Sequence, residues 1–416
     1  MYKITQIAID GFWLNHRANM NLNKDVNIII GRNGSGKTTF MDITQAILTV
    51  DMDMLYECQF HTVKINLANG IKRRTIKVSK KEGVNTPFYY VEYHISNAKY
   101  VARVISDSEG YMPTSLKRRI QEELAIIREQ LDKYISFSSL SVYRADSYLE
   151  ASEPKNRNSK RLTSTVDIRL SSIMTRLTQY QLELSNKARD ISTALQKEVL
   201  TSLLYTNEKN QERSYFLDID YEQERKRLST AYRQLGLFGA EINRKVNEHI
   251  DLVKTNIENL KQKNSLPVNL GALEAFKQTS KVVEMSLTAE KNVNDVFKPI
   301  HSFISILKNF MPGKNFEFKG GELKIEENGN IPVEKLSSGE KQLLILFIEA
   351  LLQKQEPYIF IADEPELSLH ISWQANILPT IIKLNPNAQI IVATHSPEIA
   401  GKYKNKIINM EKILHG

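Results

Sequence analysis

A chain of 416 residues, 41% apolar and 25% charged, has room for two domains, or for one large domain carrying an insertion, and an ordinary core to bury. Without a run of about eighteen apolar residues, and with Cys58 as its only cysteine, it has no membrane span and no intramolecular disulfide, which fits a reducing, cytoplasmic setting. The net charge of +8 is uneven: residues 1–150 contribute +4, 151–310 contribute +6 and 311–416 contribute −2, compatible with nucleic acid as a partner and equally with solvated helical faces.

In chain order, Ile4 to Ile9 alternates as a strand and lacks the apolar block of a signal peptide. The apolar run Val26 to Ile30 follows, then a Gly-rich turn and a helical pattern through Met41, Ile43, Ala46 and Ile47. Cys58 is expected to be a buried, inert thiol. Val63 to Leu67 and Thr75 to Val78 flank Asn69-Gly70, a hairpin signal, and further alternation at Tyr89 to Ile95 and Val101 to Ile105 extends an antiparallel sheet. Ile135 to Leu140 reads as another strand.

From Lys155 to Leu266 there is no proline. Val166, Leu170, Ile173, Leu177, Tyr180, Leu184, Ile191, Leu195 and Val199 keep a 4-3 spacing, and so do Ile242, Val246, Ile250, Val253, Ile257 and Leu260. These are seams of long amphipathic helices, forming either a short antiparallel coiled coil that turns near Asn207 to Asp220 or a compact helical bundle. The chain then returns to sheet sequence at Phe316, Phe318, Leu323 and Ile325, a helix from Gln342 to Leu352, and buried strands at Tyr358 to Ala362 and Ile390 to Ala393. Continuous apolar runs of this kind suit parallel strands covered on both faces, and such sheets place ligands at their carboxyl ends. The fold class expected is α/β: residues 1–150 and 311–416 as two halves of one α/β domain with an antiparallel β subdomain, and 151–310 as a helical insertion.

Gly31-Arg32-Asn33-Gly34-Ser35-Gly36-Lys37-Thr38, between a strand and a helix, fits the phosphate-binding pattern G-x-x-x-x-G-K-[ST]. Its glycines let backbone N–H groups approach phosphate oxygens, and the helix N-terminus adds its positive dipole end. Asn33, Gly34, Ser35, Gly36, Lys37, Thr38 and Thr39 are the candidate ATP-binding residues; Lys37 would reach the β- and γ-phosphates and the Thr38 hydroxyl would ligate Mg²⁺. Ile359-Phe360-Ile361-Ala362-Asp363-Glu364 is the matching acidic strand end, with Asp363 holding Mg²⁺ and Glu364 polarising the attacking water. Leu336-Ser337-Ser338-Gly339-Glu340, ahead of another helix, offers a second phosphate-facing N-terminus, from which Ser337, Gly339 and Glu340 join the candidate site. The same residues also make a good helix cap.

Together with Asp363-Glu364-Pro365-Glu366, Leu367-Ser368-Leu369-His370 and Thr394-His395-Ser396, these motifs resemble the ABC/SMC-type ATPase head, and within it the RecF/OLD-like branch and the ATPase subunits of the Septu or PARIS anti-phage systems. The resemblance covers residues 1–60 and 315–400 well. It implies a head-to-tail homodimer, or a larger even-numbered homo-oligomer, in which the signature residues of one protomer meet the γ-phosphate held by the other. Leu367 to His370 then corresponds to the D-loop at the seam and His395 to the switch histidine. The family's Q-loop has its comparable place at Ser141 to Asp146, where Arg144 is the most chemically apt side chain.

The resemblance further implies a sensor or regulatory ATPase of a two-component defence system. Because a Toprim nuclease domain is not seen in the 21 residues after His395, the lethal output falls to a separate nuclease or toxin. A DNA-repair or DNA-clamp ATPase is the alternative. Lys72-Arg73-Arg74, Lys117-Arg118-Arg119 and the basic residues from Lys155 to Arg161 are the short runs that could touch phosphates.

Overall fold

The computed structural model describes residues 1–82, 89–104, 114–140, 165–202, 219–234, 237, 239–261, 270–327 and 329–415. The N-terminal elements are β1 (Lys3–Phe12), β2 (His16–Asn21), β3 (Val26–Ile30), α1 (Lys37–Thr49), α2 (Met52–Glu57), β4 (Thr62–Asn69), β5 (Lys72–Glu82), β6 (Tyr89–Ile95), β7 (Ala98–Val104), α3 (Thr114–Asp132) and β8 (Phe137–Leu140). Among the described residues, four helices follow: α4 (Thr165–Ser202), α5 (Tyr221–Gln234), α6 (Ala240–Lys261) and α7 (Leu270–Phe310). The chain closes with β9 (Asn315–Lys319), β10 (Glu322–Glu326), β11 (Asn330–Ile331), α8 (Ser338–Leu352), β12 (Tyr358–Asp363), α9 (Ile371–Leu384), β13 (Ala388–Ala393), α10 (Pro397–Ala400), β14 (Ile407–Asn409) and β15 (Leu414–His415). Residues 1–178 with 302–416 form one unit and residues 179–301 a second.

The first unit is α/β, with a seven-stranded antiparallel sheet, a five-stranded parallel sheet and a small antiparallel sheet in the order β11-β10-β9. The antiparallel sheet runs β15-β2-β1-β4-β5-β6-β7. Its period-2 pattern puts Ile7, Ile9, Val63, Ile65, Val78, Val91 and Tyr93 into one core with α1 and α3, and the Tyr93 hydroxyl donates to the Ile47 carbonyl at 3.2 Å. In β1 the buried positions change from Ile4 to Ile7, an odd step that a register shift against β4 between Ile4 and Gln6 accommodates. Arg128 on α3 donates to the Thr49 and Val50 carbonyls, closing the C-terminal end of α1 with a positive charge.

The parallel sheet runs β14-β3-β13-β12-β8. Its inner strands β13 and β3 are buried on both sides, as their continuous apolar sequences require: β13 has no exposed residue and β3 only a half-buried end. The two sheets are joined by the buried Gln389 side chain, which accepts from Ile4 N–H at 2.8 Å and donates to the carbonyls of Ile4 and Asn23 at 2.6 and 2.7 Å. A buried amide satisfied on both sides fixes one sheet against the other, because losing any partner leaves a desolvated polar group.

The root of the helical segment belongs to the first unit as well. On α4, Asp167 receives the Lys341 ammonium of α8 at 2.7 Å, and Arg176 pairs with the buried Glu349 of α8 at 3.0 Å. The second unit has its own core: Val246, Ile250, Val253 and Ile257 of α6 pack on Leu228 and Ala231 of α5 and on Phe276 and Val283 of α7. The 4-3 seam of α6 is therefore used in a helical cluster. The sequence had shown the stripe but not its partners, because a stripe states which face is buried and not against what. Of the expected turn at 207–220, only Ile219 and Asp220 lie within the described residues.

Candidate functional site

Register gathers the motifs. Ile29 of β3 lies opposite Ala393 of β13, which lies opposite Asp363 of β12. With neighbouring strands about 4.8 Å apart, the segments beyond this row, Ile30-Gly31, Thr394-His395 and Glu364, leave the sheet side by side. Thr394 N–H donates to the Ile29 carbonyl at 3.1 Å and Glu364 N–H to the Ala393 carbonyl at 2.8 Å, continuing the ladder into the loops.

The loop after β3 leaves the start of α1 open. Gly36 caps α1 with φ of 90° and no side-chain hydrogen bond, so the first N–H groups of the helix are left uncapped. A Cβ at Gly36 would lie 2.9 Å from the Phe12 ring, so both the backbone angle and the space require glycine. The Lys37 ammonium is buried and donates to the carbonyls of Gly31 and Arg32 at 3.0 and 3.2 Å, bridging its own loop. The Ser35 hydroxyl is buried without a hydrogen-bond partner among the described residues, an acceptor-seeking group inside the cradle. Asn33, Gly34 and Thr38 are exposed and Thr39 is half-buried.

Glu364 occupies the left-handed region with φ of 47°, a strained backbone for a residue with a side chain. Its carboxylate lies 3.8 Å from His395 Nε2, and both side chains are partly exposed. Glu366, by contrast, is buried, and one of its carboxylate oxygens accepts from the Thr394 hydroxyl at 2.5 Å and from His395 and Ser396 N–H at 2.9 and 3.2 Å. Ser396 donates onward to Gln374 Oε1 at 2.7 Å.

The signature segment caps its own helix. The Ser337 hydroxyl and the Glu340 carboxylate form a reciprocal capping box, and Lys314 pairs with Glu340 at 2.9 Å. Gly339 sits so close to the D-loop that a Cβ there would fall 2.5 Å from the Ser368 carbonyl oxygen. Gln342 Nε2 donates to the Pro365 carbonyl at 3.0 Å, so signature helix, acidic strand end and D-loop are held together in one chain. Among the described residues, no hydrogen bond or ion pair joins Ser337 to Glu340 with Gly31 to Thr38.

The sequence reading overlooked Trp13. It follows Phe12 in the tight β1–β2 turn with φ of 49°, packs on the Phe12 ring at 5.0 Å between centroids, and lies beside Gly36. With Thr39, Asp42, Glu57, Cys58 and Gln59 it lines a cavity of about 300 Å³ next to the phosphate loop. The signal was Gly11-Phe12-Trp13, two aromatics in a turn just ahead of the phosphate motif. Cys58 is half-buried at the end of α2 and not enclosed as expected, because it stands where that helix opens onto this cavity.

Arg144, the candidate for the Q-loop position, and the basic residues from Lys155 to Arg161 lie outside the described residues. Arg118 and Arg119 are paired with Glu122 and Glu123 one turn on, the ordinary arrangement of a solvated helical face.

Oxygen donors at Thr38 and Asp363 suit Mg²⁺. Among the described residues, no group of three or more His, Cys, Asp or Glu side chains stands ready to hold a metal ion. No described helix is long and apolar enough to cross a membrane.

The AAA ATPase domain family matches residues 2–400. The retron Ec83 probable ATPase of Escherichia coli is 25% identical over 399 residues; the match takes in 91% of this chain and 65% of that protein, so this chain spans about two thirds of its relative's length. Among solved structures, the Smc head domain of Pyrococcus furiosus, bound to the C-terminal domain of ScpA, is 15% identical, covering 98% of this chain and 93% of that one at a TM-score of 0.42. The SMC head domain of Thermotoga maritima is 11% identical, covering 96% and 91%, at a TM-score of 0.39.

Proposed function

Because the chain belongs to the AAA ATPase domain family, we propose that it hydrolyses ATP at a site shared by two copies, and uses that cycle to control a separate nuclease or toxin in anti-phage defence. The observation that carries the catalytic part is the row Ile29–Ala393–Asp363, which sets the segments Ile30-Gly31, Thr394-His395 and Glu364 side by side at the carboxyl ends of the parallel strands. Lys37 would leave its loop carbonyls for the β- and γ-phosphate oxygens, an exchange of neutral acceptors for charged ones. Thr38 and Asp363 would hold Mg²⁺, whose contribution is to neutralise charge between the phosphates. Glu364 accepts the proton of the attacking water, and His395 orients the reactants beside it. Trp13 offers an aromatic face, and Asp42 and Glu57 acceptors for ribose hydroxyls, along the wall of the neighbouring cavity.

Sharing between copies follows from the signature. Its helix N-terminus faces the D-loop of its own chain, and two-fold symmetry would set it over the partner's phosphate loop. Mixing inactive Lys37→Ala chains with inactive Ser337→Arg chains tests this. A mixed dimer has one site with both lesions and one with neither, so part of the ATPase activity should return. No recovery in dimers shown to be mixed rejects the shared site. The defence role rests on the motif resemblance and on the likeness to a retron ATPase; its test is whether co-expression with candidate toxic partners makes toxicity depend on Lys37.

One observation favours a second reading, a nucleic-acid clamp. Lys64 and Lys77 stand directly opposite each other on β4 and β5, both exposed and with no ion pair among the described residues; His94 and Lys99 continue the row across β6 and β7, where both face Glu92 at 3.8 and 3.0 Å. Like charges directly opposite weaken a sheet, so they are better explained by a polyanion than by stability. If Lys64→Glu with Lys77→Glu leaves duplex or single-strand binding and its salt dependence unchanged, this reading fails.

A further inference from the structure

Glu366 lies two residues beyond the proposed base and is only 9% exposed. Three donors converge on its Oε1: the Thr394 hydroxyl and the N–H groups of His395 and Ser396. Its other oxygen, Oε2, is buried without a partner among the described residues. A carboxylate withdrawn from water is costly unless its hydrogen bonds are made, so this one holds its loop firmly.

The loop is also held from the far side. Ser396 Oγ donates to Gln374 Oε1, Gln374 Nε2 donates to the Leu369 carbonyl at 3.1 Å, and Leu369 N–H donates to the Glu366 carbonyl at 2.9 Å. The result is a closed circuit: acidic strand end, switch loop, α9, D-loop, and back to Glu366. The His395 side chain is itself 40% exposed, so side-chain packing does little to place it. The backbone clamp sets where the imidazole stands relative to Glu364.

We propose that Glu366 is a positioning residue for hydrolysis: it fixes the His395 loop against the acidic strand end, with Gln374 tying that loop to the D-loop, and it acts through His395 and not on the nucleotide. This rests on the reading of Glu364 and His395 given above.

The test measures kcat, KM, binding of a fluorescent ATP analogue and melting temperature in the full chain. The variants are Glu366→Ala, Glu366→Gln, Gln374→Ala, His395→Ala, and Glu366→Ala combined with His395→Ala. Glu366→Ala should lower kcat by about tenfold to a hundredfold while KM and analogue binding stay within about twofold, since misplacement of a reacting group acts on the chemical step. Glu366→Gln should recover most of the rate, because its carbonyl oxygen can accept the same N–H groups. The double variant should be no slower than His395→Ala alone, the non-additivity expected of residues acting as a unit.

Losses that multiply in the double variant, or analogue binding that falls in step with kcat, overturn the proposal. If Glu366→Ala melts early, Gln374→Ala takes its place, and a wild-type kcat there overturns it as well. Glu364→Gln separates the two levels of inference. Wild-type turnover in Glu364→Gln removes the catalytic reading itself, whereas an inactive Glu364→Gln beside a fully active Glu366→Ala removes only the positioning role.

Discussion

Two helix N-termini in this protein carry sequences that fit phosphate-binding patterns, and they are finished in opposite ways. At α1, Gly36 turns the chain through a left-handed backbone and offers no cap, so the first-turn donors stay available beside the Lys37 ammonium. At α8, Ser337 and Glu340 cap the helix with their own side chains, and Lys314 neutralises the carboxylate. An open terminus has unsatisfied donors and a positive dipole end, and gains from any anion that arrives. A closed one has already made part of those bonds, at the Ser337 and Glu340 N–H groups, and a phosphate must compete there with an intramolecular carboxylate. The contrast suits a site in which one terminus takes nucleotide first and the other engages only when a second copy brings phosphate to it.

Breaking the open terminus should have the largest effect. Gly36→Ala places a side chain at φ of 90° and sets its Cβ 2.9 Å from the Phe12 ring. Backbone strain of this kind costs about 1–3 kcal/mol, so ATP affinity should fall by roughly tenfold or more and the melting temperature should drop. Titration with a fluorescent nucleotide checks the first and calorimetry the second. An unchanged affinity would mean that the geometry of the loop does not govern binding.

Removing the closed cap should matter less, and elsewhere. Ser337→Ala deletes the hydroxyl that accepts from Glu340 N–H, which costs about 1 kcal/mol of stability at a typical N-cap. Nucleotide affinity of the single chain should stay at the wild-type value, because no bond links this cap to the phosphate loop among the described residues. If Ser337→Ala weakened nucleotide binding as much as Gly36→Ala, the two termini would not differ in the way their caps suggest.

The smallest effect is electrostatic. Burial pushes the Glu340 carboxyl upward, but the Lys314 ammonium and the Ser337 donors outweigh it and hold the group below its ordinary value of 4.5. A carboxyl depressed on folding contributes stability that is present above its unfolded value and is lost as pH falls through the folded one. The stability difference between wild type and Glu340→Gln should therefore be constant near neutral pH and shrink below pH 4.5. Urea unfolding at a series of pH values measures it; a gap that widens in acid contradicts the assignment.

Local sequence determined much of this protein. The strand–loop–helix of the phosphate motif, the Asn69-Gly70 hairpin, the acidic strand end and the buried parallel strands were readable because each depends on nearby residues: glycine where the backbone must turn, alternation where one face is wet, unbroken apolar runs where both are dry. Tertiary structure decided what distant segments do to one another. Glu366 could be read as part of a motif, but its role appears only when β13 lies beside β12 and delivers three donors to one oxygen. Trp13 gains meaning from Gly36, Gln389 from Ile4, and the α6 seam from α5 and α7. Sequence periodicity says which atoms must be hidden or satisfied; their partners are set by the register and packing of the whole chain.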